Sequence, residues 1–195
     1  MSNPSEQSVA TQRRLASVKL VVAGGFGVGK TTFVGAVSEI EPLTTEAAMT
    51  TESAGIDDRS KVTDKTTTTV AMDFGRITVD DELVMYLFGT PGQERFGFMW
   101  DDLCEGALGA IVLADTRRLG DCFAALDYFE SRGIPFVVGV NCFDGVAKHQ
   151  LDDVRDALAI PAHVPVLYTD ARSRAATKQA LISLVQLAME RLRSR

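Results

Sequence analysis

Two kinds of hydrophobic pattern alternate along the chain. Val18–Ala23, Gly106–Ala114 and Pro135–Asn141 are near-continuous apolar runs of the kind buried on both faces of a sheet, and Val164–Tyr168 reads as a last, shorter strand. Thr66–Ile77 and Glu82–Phe88 meet through the polar Asp80-Asp81 pair and read as the arms of a hairpin, the first arm rich in β-branched residues. The spacing turns helical over Thr32–Ile40, Asp121–Arg132, Leu151–Ala159 and Ala175–Leu192. In the last of these, Leu181, Leu184, Val185, Ala188 and Leu192 share one face and are expected in the core. Glu41–Lys65, with Pro42, Gly55 and many Thr, Asp and Glu residues, holds neither period and reads as a mobile loop. Strands alternating with helices predict an α/β fold: a mostly parallel six-stranded sheet with helices on both faces. Right-handed crossovers then gather the loops after the strand carboxyl ends on one edge, where ligand sites collect.

Composition narrows the class without naming it. A chain of 195 residues, 46% hydrophobic and 24% charged, suits one globular domain, expected over residues 15–195 behind a disordered polar tail at 1–14. A formal charge of -6 argues against a general nucleic-acid binder, since no basic field gathers phosphate contacts. Cys104, Cys122 and Cys142 have no metal-ligand spacing and are expected as reduced thiols. The tail lacks the apolar segment of a signal peptide, Ser2 stands where myristoylation needs glycine, and no apolar run approaches the ~18 residues of a membrane span. The expected location is cytoplasmic. Arg191, Arg193 and Arg195 at the end of the last helix complement its dipole. His149 and His163 read as solvated loop residues.

The chemistry is carried by Gly24-Gly25-Phe26-Gly27-Val28-Gly29-Lys30-Thr31, which fits G-x-x-x-x-G-K-[ST] between a predicted strand and a predicted helix. Glycines let backbone N–H groups turn toward a polyphosphate, and the helix N-terminus adds partial positive charge. Gly25, Gly27, Val28, Gly29 and Thr32 are therefore cofactor-binding candidates, Lys30 reaches the terminal phosphates, and the Thr31 hydroxyl is placed to ligate Mg2+. Later strand ends supply partners in the right order. Thr69 can ligate Mg2+ and sense a γ-phosphate, Gly92 can offer its N–H to that phosphate, and Gln93 can orient an attacking water. Gln93, Lys30 and Thr69 are the catalytic candidates. Asn141 and Asp144 follow the fifth strand, where a carboxylate accepts two hydrogen bonds from guanine. Asp170, Ala171 and Arg172 follow the sixth and place a backbone N–H for a base carbonyl.

Over about residues 17–193 the chain resembles the Ras-like small GTPases, and Gly92-Gln93-Glu94-Arg95-Phe96 is identical to the run found in Rab-type members. More narrowly it is similar to the bacterial branch containing the gliding-motility GTPase MglA and to actinobacterial ATP/GTP-binding proteins of conservon operons. Thr66-Thr67-Thr68-Thr69-Val70-Ala71-Met72-Asp73-Phe74-Gly75 and Asn141-Cys142-Phe143-Asp144-Gly145 carry that likeness. It implies a Ras-like G domain that binds GTP and GDP with Mg2+, switches state on slow hydrolysis, and works with a Roadblock/LC7-type regulator and a histidine-kinase-like membrane protein. Thr69, four residues before Asp73, matches the branch's T-x-x-x-D-F pattern.

The chain departs from the family twice. Gly89 replaces the aspartate of D-x-x-G, leaving Asp73 or Asp115 to support the metal, and Cys142 replaces the lysine of N-K-x-D, losing its stem over the base and its contacts to the glycine loop. GTP is favoured through Asp144, with ATP as the alternative. The rivals are a scaffold that holds nucleotide without hydrolysing it and a small-molecule kinase. Arg59, Arg76 and Arg95 are candidates for a charge-neutralising arginine. Phe96, Phe98, Met99 and Trp100 form an apolar cluster, either core or partner surface.

Overall fold

An apolar run such as Val18–Ala23 is satisfied only deep within a sheet, and β1 (Ala16–Gly24) lies between β4 (Leu83–Gly89) and β5 (Ala107–Ala114), parallel to both. The computed structural model describes residues 16–41, 43–50, 67–92 and 99–194, with 43–50 and 67–71 described as backbone. β5 continues in parallel to β6 (Phe136–Asn141) and β7 (Val166–Thr169). On the other side, β4 pairs antiparallel with β3 (Thr67–Thr78), and β3 with β2 (Leu43–Thr50). The sheet thus runs β2-β3-β4-β1-β5-β6-β7 among the described residues.

The six expected strands are all present, and β2 joins them from the segment expected to be a loop. Glu41–Lys65 is therefore corrected in its first part: Leu43–Thr50 is an edge strand, and 51–66 lies outside the described residues. An edge strand is hydrogen-bonded on one side only, so it needs no apolar run.

Strand alternation divides the core in two. Val21, Ala23, Val112, Ala114, Val138 and Val140 face α3 (Phe123–Ser131) and α4 (Leu151–Ala157), where Leu126, Phe129 and Val154 are buried. Leu20, Val22, Ile111, Leu113 and Val137 face α1 (Lys30–Val37) and α5 (Arg174–Arg193), meeting Phe33, Val34, Leu181 and Leu184. One sequence expectation shifts here, and one open alternative is resolved. Leu192 is exposed and Leu187 is buried in its place. Trp100, opening a short helix α2 (Trp100–Cys104), is core: it stacks on Phe129 at 6.2 Å and meets Tyr128 edge-on at 5.2 Å. Phe96 and Phe98 lie outside the described residues. Cys104, Cys122 and Cys142 are free thiols. Among the described residues no helix is long and apolar enough to cross a membrane.

Candidate functional site

The carboxyl ends of β1, β4, β6 and β7 reach one edge, and the glycine loop opens there. β1 ends at Gly24, and Gly27 (φ 72) and Gly29 (φ 105) take left-handed backbone angles that glycine adopts without steric cost. α1 starts at Lys30, two residues before the sequence suggests. The Lys30 side chain folds under the loop, where Nζ donates to the carbonyls of Gly24 (2.8 Å) and Gly25 (2.7 Å). The residue is 8% exposed, and burial pulls its pKa down to about 8 against the opposing pull of the Asp73 carboxylate. A buried ammonium whose hydrogen bonds go to backbone carbonyls can exchange them for phosphate oxygens.

Thr31 Oγ1 donates to Asp73 Oδ2 at 2.8 Å, and the register explains how that carboxylate arrives. Asp73 on β3 stands directly opposite Gly89 on β4. A Cβ at Gly89 would meet Asp73 Cβ and Oδ2 at 3.0 Å, so the carboxylate of one strand fills the room left by the missing side chain of the other. Asp115, the alternative, is committed elsewhere. Arg117 grips it with Nε (2.8 Å) and Nη2 (2.7 Å), and these bonds hold its carboxyl below the usual carboxylate range.

These groups bound a cavity of about 360 Å³, walled by Gly27, Lys30, Thr31, Asp73, Thr90 and Gly92. The Thr90 hydroxyl is buried there without a hydrogen-bond partner among protein groups. Two hydroxyls and one carboxylate are hard oxygen donors, too few to enclose a cation alone but suited to Mg2+, which keeps waters and shares phosphate oxygens. The residues fit that ion. No cluster of three or more His, Cys, Asp or Glu among the described residues is arranged to hold a metal. Gly92 closes on the loop so tightly that a Cβ would come within 2.7 Å of Lys30 Nζ.

On the base side, Asn141 is buried and bridges two loops: Nδ2 donates to Val28 O (2.8 Å), and Oδ1 accepts from Ala171 N (3.1 Å). The N–H groups expected for a base carbonyl are thus engaged within the protein, since Arg172 N donates to Asp170 Oδ1 (3.0 Å). The Arg172 guanidinium chelates the same carboxylate at 2.9 and 2.8 Å. Asp144 is open, its side chain 73% exposed and 3.5 Å from Lys148 Nζ. Cys142 is half-buried, and burial pushes its thiol pKa up.

Gly25, Gly27, Val28, Gly29, Lys30, Thr31, Thr32, Gly92, Asn141 and Ala171 therefore converge around one edge. Thr69 does not. It pairs with Ala48 within the unbroken strand β3, about 13 Å from Asp73 at ~3.3 Å per residue. Gln93 lies outside the described residues, as do Arg59 and Arg95. Arg76 sits beside Ser38 at the far end of α1, about 12 Å from the loop at ~1.5 Å per residue of an eight-residue helix. Sequence reading missed Thr90, whose only signal was its place in Gly-Thr-Pro-Gly. It also missed Arg118, whose Nη2 donates to Phe26 O at 2.6 Å across 92 residues of chain.

A lysine and a threonine facing one anion-sized cavity from a glycine loop, beneath a sheet of this order, define a nucleotide-binding P-loop protein with the G-domain fold. Solved G domains agree: the FeoB G domain of Methanococcus jannaschii superposes with a TM-score of 0.57 at 13% identity, covering 90% of this chain and 99% of that one. The cytosolic domain of the T. maritima FeoB iron transporter in GDP form I gives 0.62 at 17% identity, covering 89% of this chain and 64% of that one. The chain belongs to the family of conserved hypothetical ATP binding proteins, whose sequence model matches residues 22–191. It is 34% identical over 129 residues to the uncharacterized protein MJ1339 of Methanocaldococcus jannaschii, a match spanning 65% of this chain and 71% of the relative.

Proposed function

We propose that the protein is a small GTPase of the MglA-like, conservon-type branch, a cytoplasmic switch in bacterial signalling that hydrolyses GTP slowly unless assisted. The observation that supports this reading is Asn141, which ties the P-loop at Val28 to the loop at Ala171 and stands three residues before Asp144, the proposed base reader. An exposed carboxylate can accept both N–H groups of guanine's recognition edge, a pairing adenine does not offer. Asp144 must leave Lys148 to do so, which costs little for a pair this open.

Thr31 and Asp73 would hold Mg2+, with Thr90 turned toward its water shell; when bound, the ion neutralises charge between the outer phosphates. Thr69 would join them only after the first half of β3 leaves its pairing with β2, and that rearrangement is the proposed switch. Gln93 is the proposed water-orienting residue and Gly92 the γ-phosphate sensor. Of the arginines proposed for charge neutralisation, Arg76 is set aside by its position beside Ser38. Partner recognition by a Roadblock/LC7-type regulator and a histidine-kinase-like membrane protein would follow the nucleotide state.

A second reading is ATP binding. It is favoured by the family's description, by Cys142 in place of the base-covering lysine, and by the engagement of Ala171 N. Asp144→Asn separates the two. It turns an acceptor into a donor facing guanine's own N–H groups, so GTP affinity should fall about tenfold or more while xanthosine triphosphate gains. Competition between the two nucleotides measures it, and an unchanged GTP preference would remove Asp144 from base recognition.

A further inference from the structure

Arg118 reaches back from the loop after β5 to the P-loop and donates from Nη2 to the Phe26 carbonyl at 2.6 Å. Its Nε stands 3.6 Å from Asp121 Oδ2 and 4.0 Å from Asp115 Oδ2. Asp121 packs on the same P-loop: a Cβ at Gly25 would lie 2.5 Å from Asp121 Cβ and 2.8 Å from its Oδ2, a fit that only glycine permits. Phe26 and Gly27 line the phosphate cavity, and Arg118 does not. The arginine therefore holds the loop from behind.

Peptide geometry gives that grip a consequence. In a trans peptide the carbonyl and the following N–H point in opposite directions, and the described chain has no cis peptide. Pinning Phe26 O outward turns Gly27 N–H toward the cavity. Asn141 acts alike two peptides later, where its bond to Val28 O turns Gly29 N–H the same way. Cys142, at the position of the lysine of N-K-x-D, has no stem to reach the loop, and its Sγ finds only Val140 O at 3.7 Å. Arg118 supplies a cationic tether to the P-loop from a different strand.

We propose that Arg118, latched by Asp121, is a positioning residue for phosphate binding: it holds the Phe26–Gly27 peptide in its anion-receiving orientation without touching the ligand. The proposal rests on the nucleotide-binding reading of the site. Because the Arg118 side chain is 49% exposed, its loss leaves the core intact, and the nucleotide-free melting temperature should stay close to wild type.

The test is the dissociation rate of fluorescently labelled GDP and ADP from the wild-type protein and from Arg118→Ala, Arg118→Lys and Asp121→Asn. Arg118→Ala should speed dissociation of either diphosphate about tenfold, the worth of one charge-assisted hydrogen bond. Arg118→Lys should recover most of this, and Asp121→Asn should fall between. The ratio of GDP to ADP affinity should not move, and the loss should be smaller for GMP, which carries fewer phosphates for the loop to hold. Unchanged dissociation in both Arg118→Ala and Asp121→Asn would overturn the proposal. So would a loss that Arg118→Lys fails to recover and that tracks a fall in melting temperature. Lys30→Ala is the reference: if it too leaves dissociation unchanged, the nucleotide site itself is misassigned, whereas a loss seen with Lys30→Ala alone rejects only the role of Arg118.

Discussion

Lys30→Ala is expected to lower triphosphate affinity by about a hundredfold or more, since it removes a cation facing two or more phosphate charges, each such bond worth ~1.5 to 3 kcal/mol. The geometry adds a second effect. In the nucleotide-free protein the same ammonium donates to the carbonyls of Gly24 and Gly25, so alanine takes that buried donor from both and leaves Gly25 O with the long 3.4 Å bond from Val28 N. The variant should therefore also melt at lower temperature before any ligand is added. Arginine should not rescue binding, because Gly92 already stands where a Cβ would come within 2.7 Å of the Lys30 nitrogen and a guanidinium has no room. Calorimetry and thermal melts of the two variants check both effects, and wild-type affinity in Lys30→Ala would remove the P-loop from the account.

The other large effect concerns the transposed carboxylate. Gly89→Asp supplies the aspartate of the D-x-x-G pattern but drives its Cβ to 3.0 Å from Asp73 and places two carboxylates at one point, so the single variant should be destabilised and should bind nucleotide more weakly. Asp73→Asn should keep the fold while making nucleotide dissociation insensitive to Mg2+, because Thr31 keeps a hydrogen-bond acceptor and the site loses its charge. The double exchange, Asp73→Gly with Gly89→Asp, moves the carboxylate to the facing strand and should recover much of both losses, a coupling of the kind that double-mutant cycles measure. A Mg2+ titration of the nucleotide off-rate reads the result. If Gly89→Asp alone tightens Mg2+-dependent binding with stability intact, Asp73 is not the metal's support.

What was legible in the sequence was what is local. The P-loop announces itself because eight consecutive residues carry its geometry, and Val18–Ala23, Gly106–Ala114 and Pro135–Asn141 announce central strands because burial on both faces leaves no polar position. β2 was illegible for the opposite reason. Leu43–Thr50 is an edge strand whose Thr and Glu residues resemble loop composition, and its partner β3 decides its conformation. The site's second layer was also hidden, since it depends on register and distance in space. Nothing in the sequence says that Asp73 faces Gly89 across a hairpin, which is the fact that chooses Asp73 over Asp115. Nor does it say that Arg118 and Asp121 return to the P-loop from the loop after β5. Ala171 is legible in part: its position after β7 follows from the sequence, whereas the bond its N–H donates to Asn141 is visible only when both strands are in place.

The most direct test of the central claim is the affinity of the purified protein for GDP and for ADP, measured side by side by calorimetry at millimolar Mg2+ after bound nucleotide has been removed. Recognition through Asp144 predicts that GDP binds at least about tenfold more tightly, the worth of one well-placed hydrogen-bonding group. ADP binding as tightly as GDP, or more tightly, would contradict the account of the base site, and the absence of binding by either would contradict the account of the protein.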